Sequence, residues 1–155
     1  RPPTAQRERQ TRINHHGGSS RVVHCVQSEV PFPDGRLIVS RTDLARLLTH
    51  VNDAFVEMGG YTEAELLGAP HHILRHPDMP PAAFADLWAT VSAGRKWHGY
   101  VKNLRKDGTY YWVYATAVPN VRNGAICGYT SVRRKPSRAK IAEVSALYAQ
   151  MLKQP

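Results

Sequence analysis

Between Trp97 and Val132 the chain changes its hydrophobic period, and that change limits the folds open to it. Trp97–Arg105 alternates, Tyr110-Tyr111-Trp112-Val113-Tyr114-Ala115-Thr116-Ala117-Val118 is dense in strand formers, and Ala125–Val132 makes a third such run. Lys106-Asp107-Gly108-Thr109 separates the first two runs and Asn123-Gly124 the second pair. Both Asp-Gly and Asn-Gly suit tight hairpin turns, where backbone must adopt positive φ. Three strands joined by two such turns form an antiparallel meander.

Upstream, Leu37-Ile38-Val39-Ser40 and Leu47-Leu48-Thr49-His50-Val51 are short apolar runs split by a polar turn at Thr42-Asp43-Leu44, which reads as another hairpin. Asn52 stands as a helix N-cap before Ala54–Met58, with Gly59-Gly60 as the stop. Thr62 and Glu65 have capping-box spacing, Leu66 and Leu67 are expected to face inward, and Gly68 ends that short helix. The best helix is Pro81–Val91, where Phe84, Leu87, Trp88 and Val91 share a face. Residues 137–153 are again helical, with Ile141, Val144, Leu147, Tyr148 and Met151 on a stripe that needs a surface to dock on. The expected class is α+β: a five-stranded antiparallel sheet with short helices over one face, plus a C-terminal amphipathic helix. Inward side chains and the helical segment would enclose a cavity.

At 155 residues and 42% hydrophobic, the chain suits one domain with extensions. Residues 1–28 read as an N-terminal extension. Within it, 1–21 lack periodicity and are expected to be disordered, while Val22, Val23 and Val26 would add a short strand or packed arm. Residues 29–136 form the domain and 137–155 the C-terminal linker helix. No apolar run would span a bilayer and no signal-peptide pattern occurs, so a soluble, cytoplasmic piece is expected. Cys25 and Cys127 make no C-x-x-C, and Cys127 reads as a small buried hydrophobe. The net charge of +9 divides as +3 over 1–36, +1 over 37–132 and +5 over 133–155. Charge placed on the ends argues against a nucleic-acid surface on the folded part.

One stretch concentrates ligand-binding chemistry: His71-His72-Ile73-Leu74-Arg75-His76-Pro77-Asp78-Met79-Pro80. Pro77 and Pro80 break the helix, Arg75 offers a planar fork suited to phosphate, and His76 and Asp78 supply further polar groups. A broken helix end of this kind can form the mouth of a nucleotide site, or merely a polar surface turn.

These motifs resemble a PAS domain, and in particular the FAD-binding PAS domain of the aerotaxis (redox-taxis) receptor family. The resemblance is carried by Thr42-Asp43-Leu44, Thr49–Phe55, Gly60-Tyr61-Thr62, Glu65–Gly68, Arg75–Pro80, Ala82–Trp88, Trp97, Val101-Lys102-Asn103, Tyr111-Trp112-Val113, Ala117-Val118-Pro119 and Gly128-Tyr129. Arg-His-Pro-Asp-Met-Pro with the downstream Trp and Lys-Asn is the specific part. The resemblance implies non-covalent FAD and sensing of redox state or oxygen through the flavin. Arg75, His76 and Asp78 would serve FAD affinity, Trp97 would pack on the cofactor, and Asn52 and Asn103 would make polar contacts in the pocket. It further implies a downstream signalling domain or chemoreceptor-type partner, with homodimerisation as a further expectation.

Other readings attach to the same residues. Trp97 can simply cover the core, Asn52 can only cap its helix, Asn103 can close its hairpin, and Asp78 can order its turn. A light-sensing flavin domain is disfavoured, since the photoactive branch places a cysteine where this chain has His71–Arg75. Haem is the serious alternative, with His71, His72, His76 and His98 available; a ligand-free interaction module is the third. No nucleophile–base constellation or paired acid points to an enzyme.

Overall fold

The computed structural model describes residues 8–14 and 20–154. The meander forms as its period and turns dictate: β5 (Trp97–Leu104), β6 (Tyr110–Arg122) and β7 (Ala125–Arg134) pair antiparallel in sequence. Asn123 (φ 52°) and Gly124 (φ 78°) both take positive φ in the second turn, which is why a two-residue hairpin selects this dipeptide. The upstream hairpin, β3 (Ile38–Thr42) with β4 (Leu48–Val51), joins β7 to complete a five-stranded sheet in the order β4-β3-β7-β6-β5.

Strand alternation divides the sheet into two chemically different faces. On β6, Tyr111, Val113, Ala115 and Ala117 turn inward to the main core, with Phe55, Leu66, Leu74, Leu87 and Val91 from the helical side. That side comprises α1 (Asp53–Gly59), α2 (Glu63–Leu66), a 3-10 turn (His71–Leu74) and α3 (Pro81–Ser92). Gly60 closes α1 in the left-handed conformation, and Thr62 with Glu65 forms the expected capping box. The opposite sheet face takes α4 (Arg138–Leu152): Ile141 and Val144 pack on Trp112, with Tyr100, Tyr110 and Tyr148 around them. Tyr148 Oη also donates to the Tyr100 carbonyl at 2.7 Å.

Several expectations need correction. Residues 8–14, within the stretch expected to be disordered, form β1 (Glu8–Asn14), which pairs as a hairpin with β2 (Ser20–Val26), the strand expected around Val22, Val23 and Val26. The only apolar side chain of β1 is Ile13, too little for any periodic signal. Its burial with Val23 and Cys25 against Leu104 exists only through pairing and docking. The hairpin is fixed to the domain by Val26 N–H to the Gly108 carbonyl, 2.8 Å. The disorder expected for 1–7 and 15–19 concerns residues outside those described. Leu67 is exposed, because α2 is a single turn and Leu67 is already its extended C-cap. Cys127 is exposed, because it lies near the end of the β6–β7 hairpin. Leu147 is exposed too, since Ile141, Val144 and Tyr148 alone make the docked stripe of α4. No helix among the described residues is long and apolar enough to cross a membrane.

Candidate cofactor cavity

A cavity of about 960 Å³ lies between the inner sheet face and the helical side. Its apolar walls include Leu74, Phe84, Leu87, Trp88, Val91, Trp97 and Val101. Arg46, Arg75 and Arg133 also line it, and no Asp or Glu does so among the described residues. An apolar pocket with few, convergent polar groups is the usual form of a small-ligand site.

Three of the expected site residues meet there: Arg75, Trp97 and Asn103. The loop after the 3-10 turn covers the free edge of β5, with Arg75 bridging to Asn103 and Lys102 N–H donating to Met79 Sδ at 3.3 Å. Arg75 is buried with its guanidinium 4.8 Å from the Phe84 ring centre. Trp97 lies flat along the sheet over Gly99, where a Cβ would come within 2.4 Å of the indole. Its Nε1 donates to Asp86 Oδ2 at 2.9 Å, pinning the sheet to α3. Thr42 and Asn103 both line the cavity; Thr42 Oγ1 is buried without a hydrogen-bond partner among the described residues, and the Asn103 amide is buried beside the Tyr111 hydroxyl. An orphaned polar atom in a roomy cavity is what a polar, aromatic ligand would satisfy.

His76 and Asp78 go elsewhere. They line a second pocket of about 270 Å³ with Arg9, Cys25, Gln27, Lys102 and Tyr110, beneath the β1–β2 hairpin. His76 Nδ1 accepts from Asp78 N–H at 3.0 Å and the ring sits edge-on to Tyr110, so its imidazole orders the turn. Burial pushes His76 down to about 3. Burial pushes the Asp78 carboxyl up, but Lys102 at 2.8 Å and Arg9 outweigh it and hold the group at about 2. The hairpin is gripped a second time by Arg21, whose Nη2 donates to the Ile73 carbonyl at 2.6 Å.

Asn52 does not line the cavity among the described residues either. Its Oδ1 accepts from Phe55 N–H at 3.0 Å and Val39 N–H at 3.1 Å, and its Nδ2 donates to the Leu37 carbonyl at 2.9 Å. That amide ties α1 to β3. Asn52→Ala should therefore cost roughly 2–3 kcal/mol of stability while leaving ligand affinity of the folded protein unchanged. Chemical melts beside ligand titrations test this, and weakened binding at full stability would overturn it.

The residue that sequence reasoning missed is Arg133. Its position in the sequence groups it with the tail charges, yet it follows Tyr129 and Ser131 in the inward phase of β7, which is the signal that marks it. Its guanidinium is buried, donating to Ser40 Oγ at 3.1 Å, facing His71 Nε2 at 3.4 Å and lying 5.2 Å from the Phe55 ring centre. No carboxylate pairs with it among the described residues. Burial, and then the charge of Arg133, push His71 down to about 3.

His71 is consequently neutral in the folded chain at ordinary pH. An imidazole held below its unfolded value of about 6.5 stabilises the fold fully above that pH and loses the contribution as pH falls towards 3. Below about pH 6 it should remove up to about 1.4 kcal/mol per pH unit. His71→Gln should flatten the stability–pH profile by that slope in urea melts at stepped pH; an unchanged slope would contradict the assignment.

An antiparallel sheet whose inner face and overlying short helices enclose a ligand-sized cavity defines the PAS class. The chain belongs to that family: the PAS fold model matches residues 48–133, more than half of its length. It is 50% identical to the aerotaxis receptor of Escherichia coli (strain K12) over 125 residues, covering 81% of this chain and 25% of the receptor. The chain thus spans about a quarter of that relative. Among solved structures, a light-oxygen-voltage domain from work on a flavin analogue superposes with a TM-score of 0.65 at 20% identity, covering 77% of this chain and 90% of that one. The light-state LOV domain of the blue-light photoreceptor Aureochrome1 gives 0.62 at 21% identity, covering 76% and 91%. These likenesses show the fold.

Proposed function

We infer that this chain is a flavin-binding PAS sensory module that signals redox state or oxygen, with FAD as its cofactor. The observation that carries the reading is the cavity itself: apolar and aromatic walls, three arginines and no carboxylate among the described lining residues. Such a site favours a planar aromatic ligand bearing negative charge. The 50% identity to an aerotaxis receptor supports the sensory role.

A bound flavin would supply reversible electron uptake, which changes charge and hydrogen bonding at its ring. The chain's own groups are arranged to hold such a ring. Trp97 offers an aromatic face, Asn103 Nδ2 a buried donor, and Arg75 and Arg133 guanidinium forks. To act as a switch, the two redox states must favour two packings of these groups by different free energies. The sheet carries the cavity on one face and α4 on the other, so β5 and β6 are the direct route from ligand to C-terminal helix. The output would pass to a downstream signalling domain or chemoreceptor-type partner, in a cytoplasmic setting, and the role is sensory rather than catalytic.

The thiol chemistry of light sensing finds no support, because neither Cys25 nor Cys127 lines the cavity. Haem through His71 is disfavoured by its Nε2, which is turned to the Arg133 guanidinium. His98 lies on the outer face, against Tyr114. The test is an absorption spectrum of the purified chain before and after anaerobic reduction, with chromatography of the released ligand. Flavin bands that bleach on reduction and return in air support the reading. A Soret band, or a colourless protein that cannot be reconstituted with flavin, overturns it.

A further inference from the structure

The β1–β2 hairpin takes hold of one loop at two points, and those points lie on either side of a cavity residue. Before the loop, Arg21 Nη2 donates to the Ile73 carbonyl at 2.6 Å and to the His72 carbonyl at 3.2 Å. After it, the Arg9 guanidinium pairs with Asp78 Oδ1. Between the two grips stands Arg75, buried and lining the cavity. Neither Arg9 nor Arg21 lines that cavity.

The loop depends on support from outside itself. Pro77 and Pro80 have no N–H to donate. Its own backbone hydrogen bonds are short-range: Arg75 N–H to the His72 carbonyl at 3.0 Å and Met79 N–H to the His76 carbonyl at 3.1 Å. The sheet edge adds the Arg75–Asn103 bridge and the Lys102 N–H contact to Met79 Sδ. A segment stitched down by so few backbone bonds belongs to the parts of a fold that open locally.

The hairpin is itself lightly held. Its apolar cluster, Ile13, Val23 and Cys25 on Leu104, is separate from the main core. Beneath it lies the polar pocket of about 270 Å³, so charged groups rather than close apolar packing fasten this side of the hairpin. Asp78 is shared, because Lys102 Nζ reaches its Oδ2 at 2.8 Å from β5 while Arg9 takes the other oxygen. One carboxylate thus pins loop, sheet edge and hairpin together. The Arg9 and Asp78 side chains are 46% and 40% exposed, within reach of salt.

We propose that the β1–β2 hairpin is a releasable clamp on residues 73–78, which fixes Arg75 in the cavity wall when docked and lets the loop open when released. Arg9 and Arg21 are then positioning residues. They act on the cavity through Asp78 and the Ile73 carbonyl, without touching what the cavity holds. By linkage, a ligand that favours the closed loop must also tighten the hairpin.

The test is hydrogen–deuterium exchange of the full chain, read by mass spectrometry over the hairpin, residues 73–79 and the β6–β7 pair. Wild type is compared with Arg9→Gln, Arg9→Lys and Arg21→Gln. Hairpin and loop should exchange faster together, by about two- to fivefold in Arg9→Gln and about tenfold or more in Arg21→Gln, with β6–β7 unchanged. Arg9→Lys should restore most of the protection that Arg9→Gln loses. Added salt should mimic Arg9→Gln in wild type and add little to that variant. A hairpin that loosens while the loop keeps its rate overturns the clamp. Faster exchange throughout the chain does so too, because both arginines would then support the whole fold. The exchange readout needs no bound ligand, so absence of flavin binding in wild type counts against the functional reading alone. Where flavin binds, its affinity should fall in Arg21→Gln along with the loop's protection, and unchanged affinity beside a loosened loop overturns the link to the cavity.

Discussion

Arg133→Met is expected to raise, or leave unchanged, the stability of the apoprotein while sharply weakening flavin binding. The two effects have one origin. Burying a guanidinium costs several kcal/mol unless a carboxylate and good hydrogen bonds offset it. Here the partners are one hydroxyl, one neutral imidazole and an aromatic face. An unbranched apolar side chain of similar length removes the desolvation cost, and comparable replacements are neutral or stabilising by about 1–4 kcal/mol. Against a bound anionic or carbonyl-rich ligand the same guanidinium makes a charge-assisted hydrogen bond worth roughly 1.5–3 kcal/mol. Its loss corresponds to a dissociation constant about 10- to 150-fold weaker. Thermal melts of the apoprotein and flavin titrations should therefore move in opposite directions. If both fall together, Arg133 is holding the fold and its link to the ligand is lost.

Trp97→Ala should have the largest effect on stability. The indole is 8% exposed, lines the cavity, packs over Gly99 and binds Asp86 on α3. Truncating a buried aromatic to Ala costs about 3–5 kcal/mol, a large part of a typical domain's total. The variant is expected to be poorly folded and free of flavin. That outcome alone would not separate core from ligand contact, so Trp97→Phe is the informative partner. Phe keeps an aromatic face and gives up the Nε1 donor, whose partner Asp86 lies on an exposed helix position and can turn to water. A loss of about 1 kcal/mol is expected, with flavin retained at reduced affinity. Trp97→Phe that folds and binds as wild type would reassign the residue to the core alone.

What the sequence made legible was local. The meander, both turns, the Asn52 cap, the capping box and the helical face of α3 each rest on residues within a few positions of one another. What it hid depends on pairing at a distance. Ile13 says nothing until β2 and Leu104 meet it, and Arg133 reads as tail charge until β3 and His71 enclose it. The run from Arg75 to Asp78 shows the limit within a single motif. Its residues are neighbours in sequence, but the loop crosses the edge of β5, so Arg75 lines the cavity while His76 and Asp78 fall into the pocket beneath the hairpin. Where a loop crosses the edge of a strand is a tertiary property, and the spacing of its residues does not encode it.

Strand β5 connects to more of the molecule than its position at the sheet edge suggests. Trp97, Val101 and Asn103 line the cavity, Lys102 reaches Asp78 and through it Arg9 of the N-terminal hairpin, and the Tyr100 carbonyl holds Tyr148 of α4. Contacts of one strand thus join the cavity wall, the N-terminal hairpin and α4 to a common yoke. A strand is stiff along its length, so tilting it at Asn103 tugs on both harnesses together. A displacement of β5 at the cavity wall would therefore be passed to the N-terminal hairpin and to α4 together.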